Sequence, residues 1–472
     1  MKKFYLTTTL PYVNAEPHIG FALEIVAGDV ITRYQKDILN NEVVFNTGTD
    51  EHGQKIYQKA LENDQDPQEY VDHYAAKFED LKKQLNLSYT HFIRTTDNNH
   101  VEAAQKFWGI CNDNGHIYKK EYKTKYCVGC ELEKTDSELE DGFCPLHPNK
   151  ELELREEENY FFKFSSFEKP LLDLYNSQPE FVKPAGKMKE IKSFVENGLQ
   201  DFSISRLKEK MPWGIPVPGD DDHVMYVWFD ALVNYISTLG WPNESGEFAD
   251  FWPGVQVAGK DNLRQQSAMW QAMLMAANIK PSKQILINGF ISIDGQKMSK
   301  SLGNVISPKE MIERYGTDAT RYLLMNLGPF NTDMNVSWEK LDTAYTAELS
   351  NGLGNLCSRI AKLCEKTNLK NNTKVPDLPT EYVESIEQFE ILSALEETQK
   401  IQNGLDQYLA KEQPWKKEVK ETHEILGESV LKIRLLAVML KPFMPEVSEK
   451  IENHFSQPKI SAITPLFPRL EK

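Results

Sequence analysis

The sequence predicts an α/β fold: a parallel sheet split by an insertion, with a helical bundle after it. Three observations carry that expectation. Short β-branched and aromatic runs alternate with helical apolar spacing over residues 4–108 and again over 226–288. Between about 115 and 222 the alternation gives way to short strands, cysteines and charge runs. Beyond Pro329 apolar residues recur at helical spacing with no strand signal.

Residues 4–10 are β-branched and aromatic, which favours a strand. The next stretch, 11–17, holds two prolines that cannot continue a ladder, and is a loop. His18-Ile19-Gly20-Phe21 opens a helix on which Leu23, Val26, Ala27, Val30, Ile31 and Tyr34 recur. A second strand at 42–48 ends in Thr49-Asp50-Glu51-His52-Gly53, and helical pattern follows through Trp108. Strand, helix, strand at this spacing implies a right-handed crossover in a parallel sheet. Ligands of such sheets bind at the carboxyl ends of the strands, where 11–21 and 50–53 both fall. Within the insertion, 152–158 is mostly charged and suits a solvated hairpin edge. After it come a helix through Tyr235, a strand at 255–258, a helix at 263–277 and a strand at 284–288. In the last third, 347–362, 383–402 and 428–440 read as helices and 370–379 as a loop. The final stretch, 456–472, has three prolines and is expected to lie extended on the bundle.

A chain of 472 residues calls for two or three domains. No apolar run is long enough to cross a bilayer. The N-terminus begins like a signal peptide, but its apolar stretch stops too soon and no small-residue cleavage site follows, so the cytoplasm is the expected location. Six cysteines in a chain this long do not make a disulfide scaffold. A net charge of −16 excludes a generic nucleic-acid binder, though a local basic patch suffices for a specific one.

The richest stretch is 289–304, a glycine-flanked loop after the strand at 284–288. Lys297 and Lys300 can bring two ammonium groups to one polyphosphate. Ser299 and Ser301 add hydroxyl donors, while Gly295 and Gly303 let the loop bend. A second phosphate-suited element stands near the N-terminus. His18 precedes a helix whose first N–H groups are unsatisfied and partly positive, and Gly20 permits close approach.

Pro17-His18-Ile19-Gly20 together with Lys297-Met298-Ser299-Lys300-Ser301 resembles the paired signatures of class I aminoacyl-tRNA synthetases. Leu10-Pro11-Tyr12-Val13-Asn14, the 49–53 segment, Pro212-Trp213-Gly214-Ile215-Pro216, Trp228-Phe229-Asp230-Ala231 and Gly259-Lys260-Asp261 are similar to the methionyl branch of that family. The resemblance covers nearly the whole chain. It implies a Rossmann-like catalytic domain in two halves, 1–115 and 226–330, a connective insertion at 116–225, and a helical anticodon-binding domain at 331–472. It further implies a ligase that activates L-methionine with ATP to methionyl-adenylate and pyrophosphate, then charges the 3′ end of tRNA(Met). ATP would arrive with Mg²⁺ and meet His18, Gly20, Lys297, Ser299 and Lys300, of which His18, Lys297 and Lys300 would stabilise the transferring charge. Because the chain ends soon after the bundle, a monomer is expected. Two alternatives stay open: a class I ligase for a related amino acid, and a tRNA-binding paralogue without catalysis.

On the amino-acid side, Asp50 offers a carboxylate to the substrate ammonium. Leu10, Tyr12, Trp228 and Tyr235 would form an aromatic pocket in which sulfur–aromatic contact favours a thioether. Asp261 is placed for the substrates or the nucleotide ribose. Two residues depart from the family. Phe21 stands where a second histidine is usual, and one lost charge-assisted contact is worth about 1.5–3 kcal/mol. Lys297, Lys300 and backbone amides are expected to compensate. Gln266 stands where the family has a histidine near the thioether, and its NH₂ group is the remaining donor.

Cys127-x-x-Cys130 and Cys144-x-x-His147 supply three thiolates and one imidazole, a set suited to a closed, structural, tetrahedral Zn²⁺ site, with a redox disulfide as the alternative. Among the C-terminal helices, Asn355 and Arg359 share a face. Trp415 matches the family's anticodon-stacking tryptophan, since an indole stacks on an unpaired base while Asn and Arg read base edges.

Overall fold

The computed structural model describes residues 1–130, 132–134, 139–297, 305–371 and 374–470. Six strands form the main sheet: β1 Lys3–Thr8, β2 Glu42–Thr49, β3 His91–Arg94, β4 Val182–Lys183, β5 Val255–Gly259 and β6 Gln284–Asn288. Their order is β3-β2-β1-β5-β6-β4, all parallel. The interiors of β1, β2 and β5 are buried almost without alternation, as in a sheet covered on both faces. The order reverses between β1 and β5. Loops leaving those two strands diverge there and open a crevice.

The helices that position the site are α1 Ile19–Arg33, α2 Gln54–Glu62, α3 Asn98–Asp113, α4 Val227–Ala231, α5 Asn234–Ser237 and α6 Thr317–Met325. The bundle contributes α7 Asn355–Thr367, α8 Ile391–Glu412, α9 Val419–Leu440 and α10 Pro445–Phe455. Helix α1 is buried nearly all round. It sits so close to the sheet that a Cβ at Gly28 would lie 3.0 Å from Leu6 and 3.1 Å from Phe45.

Several expectations need correction. Strand β3 lies inside a stretch read as helical. At four residues it is too short for its period to stand out. Strand β4 arises within 116–225 yet joins the main sheet, so that span is not one block. The rest of the span holds a separate antiparallel sheet of Leu132–Lys134, Ile117–Cys127, Glu153–Phe162 and Phe202–Ser203, in that order. Its charged stretch pairs with Ile117–Cys127, and Phe202–Ser203 meets only Phe161 and Phe162. Among the described residues the charged part pairs with no second strand, and at its end the Glu158 carbonyl lies 2.9 Å from His223 Nε2, so the expected open edge stops there. Beyond Pro329, Met334–Val336 pairs in parallel with Ile291–Ile293, so this region is not wholly helical. The helix expected at 383–402 is two, Thr380–Glu387 and α8, broken where Phe389 takes φ 65°. The last segment does lie back on the bundle: Phe467 is buried, and the Tyr345 hydroxyl donates to the Pro468 carbonyl at 2.7 Å.

One apolar core runs without interruption from Phe4 and Val26 through Leu323 to Leu436, so sheet and bundle share it. Arg321 of α6, fully buried, ties the two together. Its guanidinium pairs with Asp29 of α1 at 2.7 Å and donates to the carbonyls of Leu85, Pro442 and Phe443 at 3.0, 2.9 and 2.9 Å. No described helix is long and apolar enough to cross a membrane.

Candidate active site and metal centre

The ladder between β1 and β2 resumes past the loop. Tyr12 and Asp50 form a parallel bridge, with the Asp50 N–H donating to Pro11 O at 3.0 Å and the Val13 N–H to Asp50 O at 3.3 Å. A phenol and a carboxylate 38 positions apart in the chain thus stand side by side. His18 caps α1. Its backbone is extended (φ −123°, ψ 171°), and its Nδ1 accepts from the Gly20 N–H at 3.0 Å. In a neutral ring that accepted bond leaves the hydrogen on Nε2, which makes Nε2 the donor.

A cleft of about 690 Å³ opens at this point. Of the residues expected in the site, Leu10, Tyr12, His18, Gly20, Asp50, Trp228 and Asp261 all line it. The Trp228 indole N–H has no partner among the described residues. Phe21 also faces the cleft, packed edge-on against Phe78 at 5.2 Å, so the wall is apolar where the family has an imidazole. Residues 288–292 and Val305 line the same cleft.

Of the lysine loop, Lys297 ends the short strand Gln296–Lys297, while Ser299 and Lys300 lie outside the described residues. The flanks of that loop are placed. The chain before it lines the cleft through 288–292, and after it the Ile306 carbonyl accepts from the Ile19 N–H at 3.1 Å, next to His18.

Tyr235 and Gln266 stand behind the cleft wall, both buried. All five residues of the π turn Gln265–Met269 face the interior. The Gln266 amide nitrogen donates to the Tyr235 hydroxyl at 2.6 Å, and Ser282 donates to Gln256, whose amide in turn reaches Gln266 Oε1 at 3.5 Å. One of the two amide hydrogens expected to face a thioether is thus engaged by the tyrosine.

Sequence reading missed Glu24. It lies on α1 in the cleft, buried, with its Oε1 accepting from the Thr9 N–H at 2.8 Å. Burial pushes its carboxyl up to about 8; the Thr9 hydrogen bonds oppose that and the nearby Asp261 adds to it. A Cβ at Gly259 would lie 2.7 Å from Asp261 Oδ1 and 4.0 Å from Glu24 Oε2, so glycine leaves the two carboxylates room to face one another. The available signal was a lone acid in the apolar run Leu23-Glu24-Ile25-Val26.

Cys127, Cys130, Cys144 and His147 converge, their ligand atoms all within 4.8 Å of one another. Cys130 Sγ lies 3.3 Å from Cys144 Sγ and 3.2 Å from His147 Nδ1; Cys127 and Cys144 Sγ lie 3.8 and 4.0 Å from that nitrogen. Those edges match a tetrahedron of metal bonds of about 2.0–2.3 Å. They are longer than an S–S bond of about 2.05 Å, and the cysteines are free, so all three sulfurs are available as ligands beside the imidazole. The four residues therefore fit a metal ion. A Cβ at Gly129 would stand 2.4 Å from the His147 ring. Gly129→Ala is accordingly expected to weaken metal binding at least about tenfold, read by competition with a chromophoric chelator. Gly109→Ala, where a Cβ meets nothing within 4 Å, is the unaffected control. Gly129 and Cys130 also line the cleft, and Lys55 of α2 donates to Gly129 O at 3.2 Å, so the knuckle is part of the cleft wall.

On the bundle, Asn355 is exposed at the start of α7, and Arg359 on the same helix pairs with Asp406 of α8 at 2.5 Å. Trp415 follows α8 in the turn Pro414–Lys416 and is 51% exposed, so it is no core anchor.

Fold and cleft together define a nucleotide-using α/β enzyme, with a helix N-terminus at the switch point of a parallel sheet and a metal-suited knuckle beside it. The sequence model described as tRNA synthetases class I (M) matches residues 4–152 and 130–361. The chain is 39% identical to the methionine–tRNA ligase of Thermosynechococcus vestitus, over 95% of this chain and 89% of that one. To the methionine–tRNA ligase of Rickettsia typhi it is 39% identical, over 95% and 92%. The solved Mycobacterium tuberculosis methionyl-tRNA synthetase in complex with methionyl-adenylate superposes with a TM-score of 0.91 at 32% identity, covering 99% of this chain and 100% of that one. The chain belongs to the class I tRNA synthetases, in their methionyl branch.

Proposed function

We infer that the chain is a methionine–tRNA ligase, which forms methionyl-adenylate from methionine and ATP and then charges tRNA(Met). One observation carries this reading: the segment before the lysine loop lines the same cleft as His18, and the segment after it bonds Ile19 beside His18, so both ends of the loop are anchored at that cleft. The methionyl-adenylate complex of a solved relative supports it.

An amino-acid carboxylate is ionised at neutral pH, with a pKa of roughly 3.5. It attacks the α-phosphorus without a general base, so the protein's task is alignment and charge stabilisation. Asp50 receives the α-ammonium, and Leu10, Tyr12 and Trp228 wall the side chain, with Tyr235 and Gln266 behind them. The Nε2–H of His18 donates to the phosphates beside Gly20. Lys297, Ser299 and Lys300 are assigned to the β- and γ-phosphates of ATP, which would arrive with Mg²⁺. Cys127, Cys130, Cys144 and His147 would hold Zn²⁺, which would supply structure to the cleft wall. Asn355, Arg359 and Trp415 read the anticodon, Arg359 after release from Asp406. The enzyme acts as a cytoplasmic monomer, with catalytic halves at 1–115 and 226–330, a connective segment at 116–225 and an anticodon-binding bundle at 331–472. ATP–pyrophosphate exchange with a panel of amino acids tests the reading. Methionine alone should support exchange; preference for another amino acid, or none at all, overturns it.

Glu24 and Asp261 suit the hydroxyls of a ribose, one donating and one accepting. Since the Glu24 proton is held up to about pH 8, raising the pH sets two carboxylates against each other. The KM for ATP is expected to rise severalfold from about pH 7 to about pH 9. In Glu24→Gln, which keeps a donor at every pH, the same profile should be flat.

A further inference from the structure

Asp230 is the centre of a buried cluster that the chemistry above does not use. Its carboxylate is wholly buried on α4. Oδ2 lies 3.1 Å from Nδ1 of His52, in the loop after β2. Oδ1 lies 3.5 Å from Nε2 of His100 on α3, a contact not aligned as a hydrogen bond. The other nitrogen of His100, Nδ1, lies 2.9 Å from the Ser237 hydroxyl on α5. All four side chains are buried. Burial pushes the Asp230 carboxyl up, yet the two histidines outweigh it and hold it below the usual range. An ionised carboxylate is costly to bury without such partners.

Three of these residues share a placement. Asp50 lies two residues before His52, Trp228 two before Asp230, and Tyr235 two before Ser237. Each of these three members therefore sits just behind one element of the amino-acid side of the cleft, and His100 joins two of them. Trp213 braces the same loop from outside, its Nε1 donating to Glu51 O at 2.6 Å and its ring 5.6 Å from that of His52. The nucleotide side is built differently: His18 caps α1, Glu24 lies on it, and Asp261 follows β5.

We propose that Asp230 is a positioning residue for amino-acid binding: by joining His52 directly and Ser237 through His100, it holds Asp50, Trp228 and Tyr235 in one register around the substrate. Asp230 does not reach the cleft and acts only through these neighbours. The inference rests on the ligase reading above, and it separates the two substrates. A loss of register moves the elements that hold methionine and leaves those that hold ATP.

The test is ATP–pyrophosphate exchange on the full chain, with KM measured for each substrate and urea unfolding run alongside. Asp230→Asn keeps the shape and removes the charge. It should raise the methionine KM at least tenfold while the ATP KM stays within twofold. His100→Gln, which cuts only the link toward Ser237, should raise the methionine KM severalfold, and it decides the matter if Asp230→Asn does not fold. An unchanged methionine KM, or methionine and ATP KM rising together, overturns the proposal while leaving the ligase reading intact. If the unaltered protein supports exchange with no amino acid, the ligase reading fails first and this inference falls with it.

Discussion

His18→Ala is expected to lower the rate of methionine-dependent ATP–pyrophosphate exchange by about a hundred- to a thousandfold, the usual cost of deleting one donor aimed at developing charge. The reason is the cap geometry. Nδ1 is committed to the Gly20 N–H, which directs the remaining donor, Nε2–H, away from the helix. The phosphate oxygens gain charge as the α-phosphorus is attacked, so the contact strengthens in the transition state, and kcat should fall more than the KM for ATP rises. Deleting the side chain also removes an N-cap, worth about 1 kcal/mol of stability. His18→Asn separates the two effects. Asparagine caps well, so thermal stability should return while the rate stays low. If His18→Ala retains more than about a tenth of the wild-type rate, the imidazole is not at the phosphates and the shared-cleft argument fails.

The second large effect concerns stability. Arg321→Met is expected to cost about 3–5 kcal/mol, because it leaves a buried carboxylate and several carbonyls without their donor. Asp29 would keep Arg33 at 2.7 Å and the Ser88 hydroxyl at 2.7 Å but lose its fully buried partner. In the intact protein burial pushes the Asp29 carboxyl up, while Arg321 and Arg33 outweigh this and hold it below the usual range. The sign of the pH dependence follows. A depressed carboxyl contributes stability that is present above its unfolded pKa of about 3.9 and lost as pH falls through its folded value. The gap between wild type and variant in urea unfolding should therefore narrow below about pH 4. A change under about 1 kcal/mol at neutral pH would mean that the shared apolar core alone joins sheet and bundle.

Much of the fold was legible because its signals are local. Strand β6 coincides with the apolar run at 284–288, and β2 with 42–48 to within one residue, since a buried parallel strand needs no distant information to look apolar. The metal quartet was legible for a similar reason: donor chemistry and spacing sit inside one short segment. Elements that escaped were those whose own pattern is too short to have a period, such as β4 and Met334–Val336, each of which exists by pairing with a strand far away in sequence. Phe389 could not be foreseen as a helix break, because nothing in a phenylalanine announces a positive φ.

Residue types and their order determined which chemistry this chain can attempt: a capping histidine, a two-lysine loop, an acid for an ammonium, three thiolates with an imidazole. Tertiary structure decided the state and reach of those groups. It placed Glu24 where it keeps a proton, turned Gln266 to Tyr235, and set Asp230 between two histidines. The physical reason is that protonation and hydrogen-bond direction depend on desolvation and on neighbours within a few ångströms, and here those neighbours come from the far end of the chain as often as from the next turn.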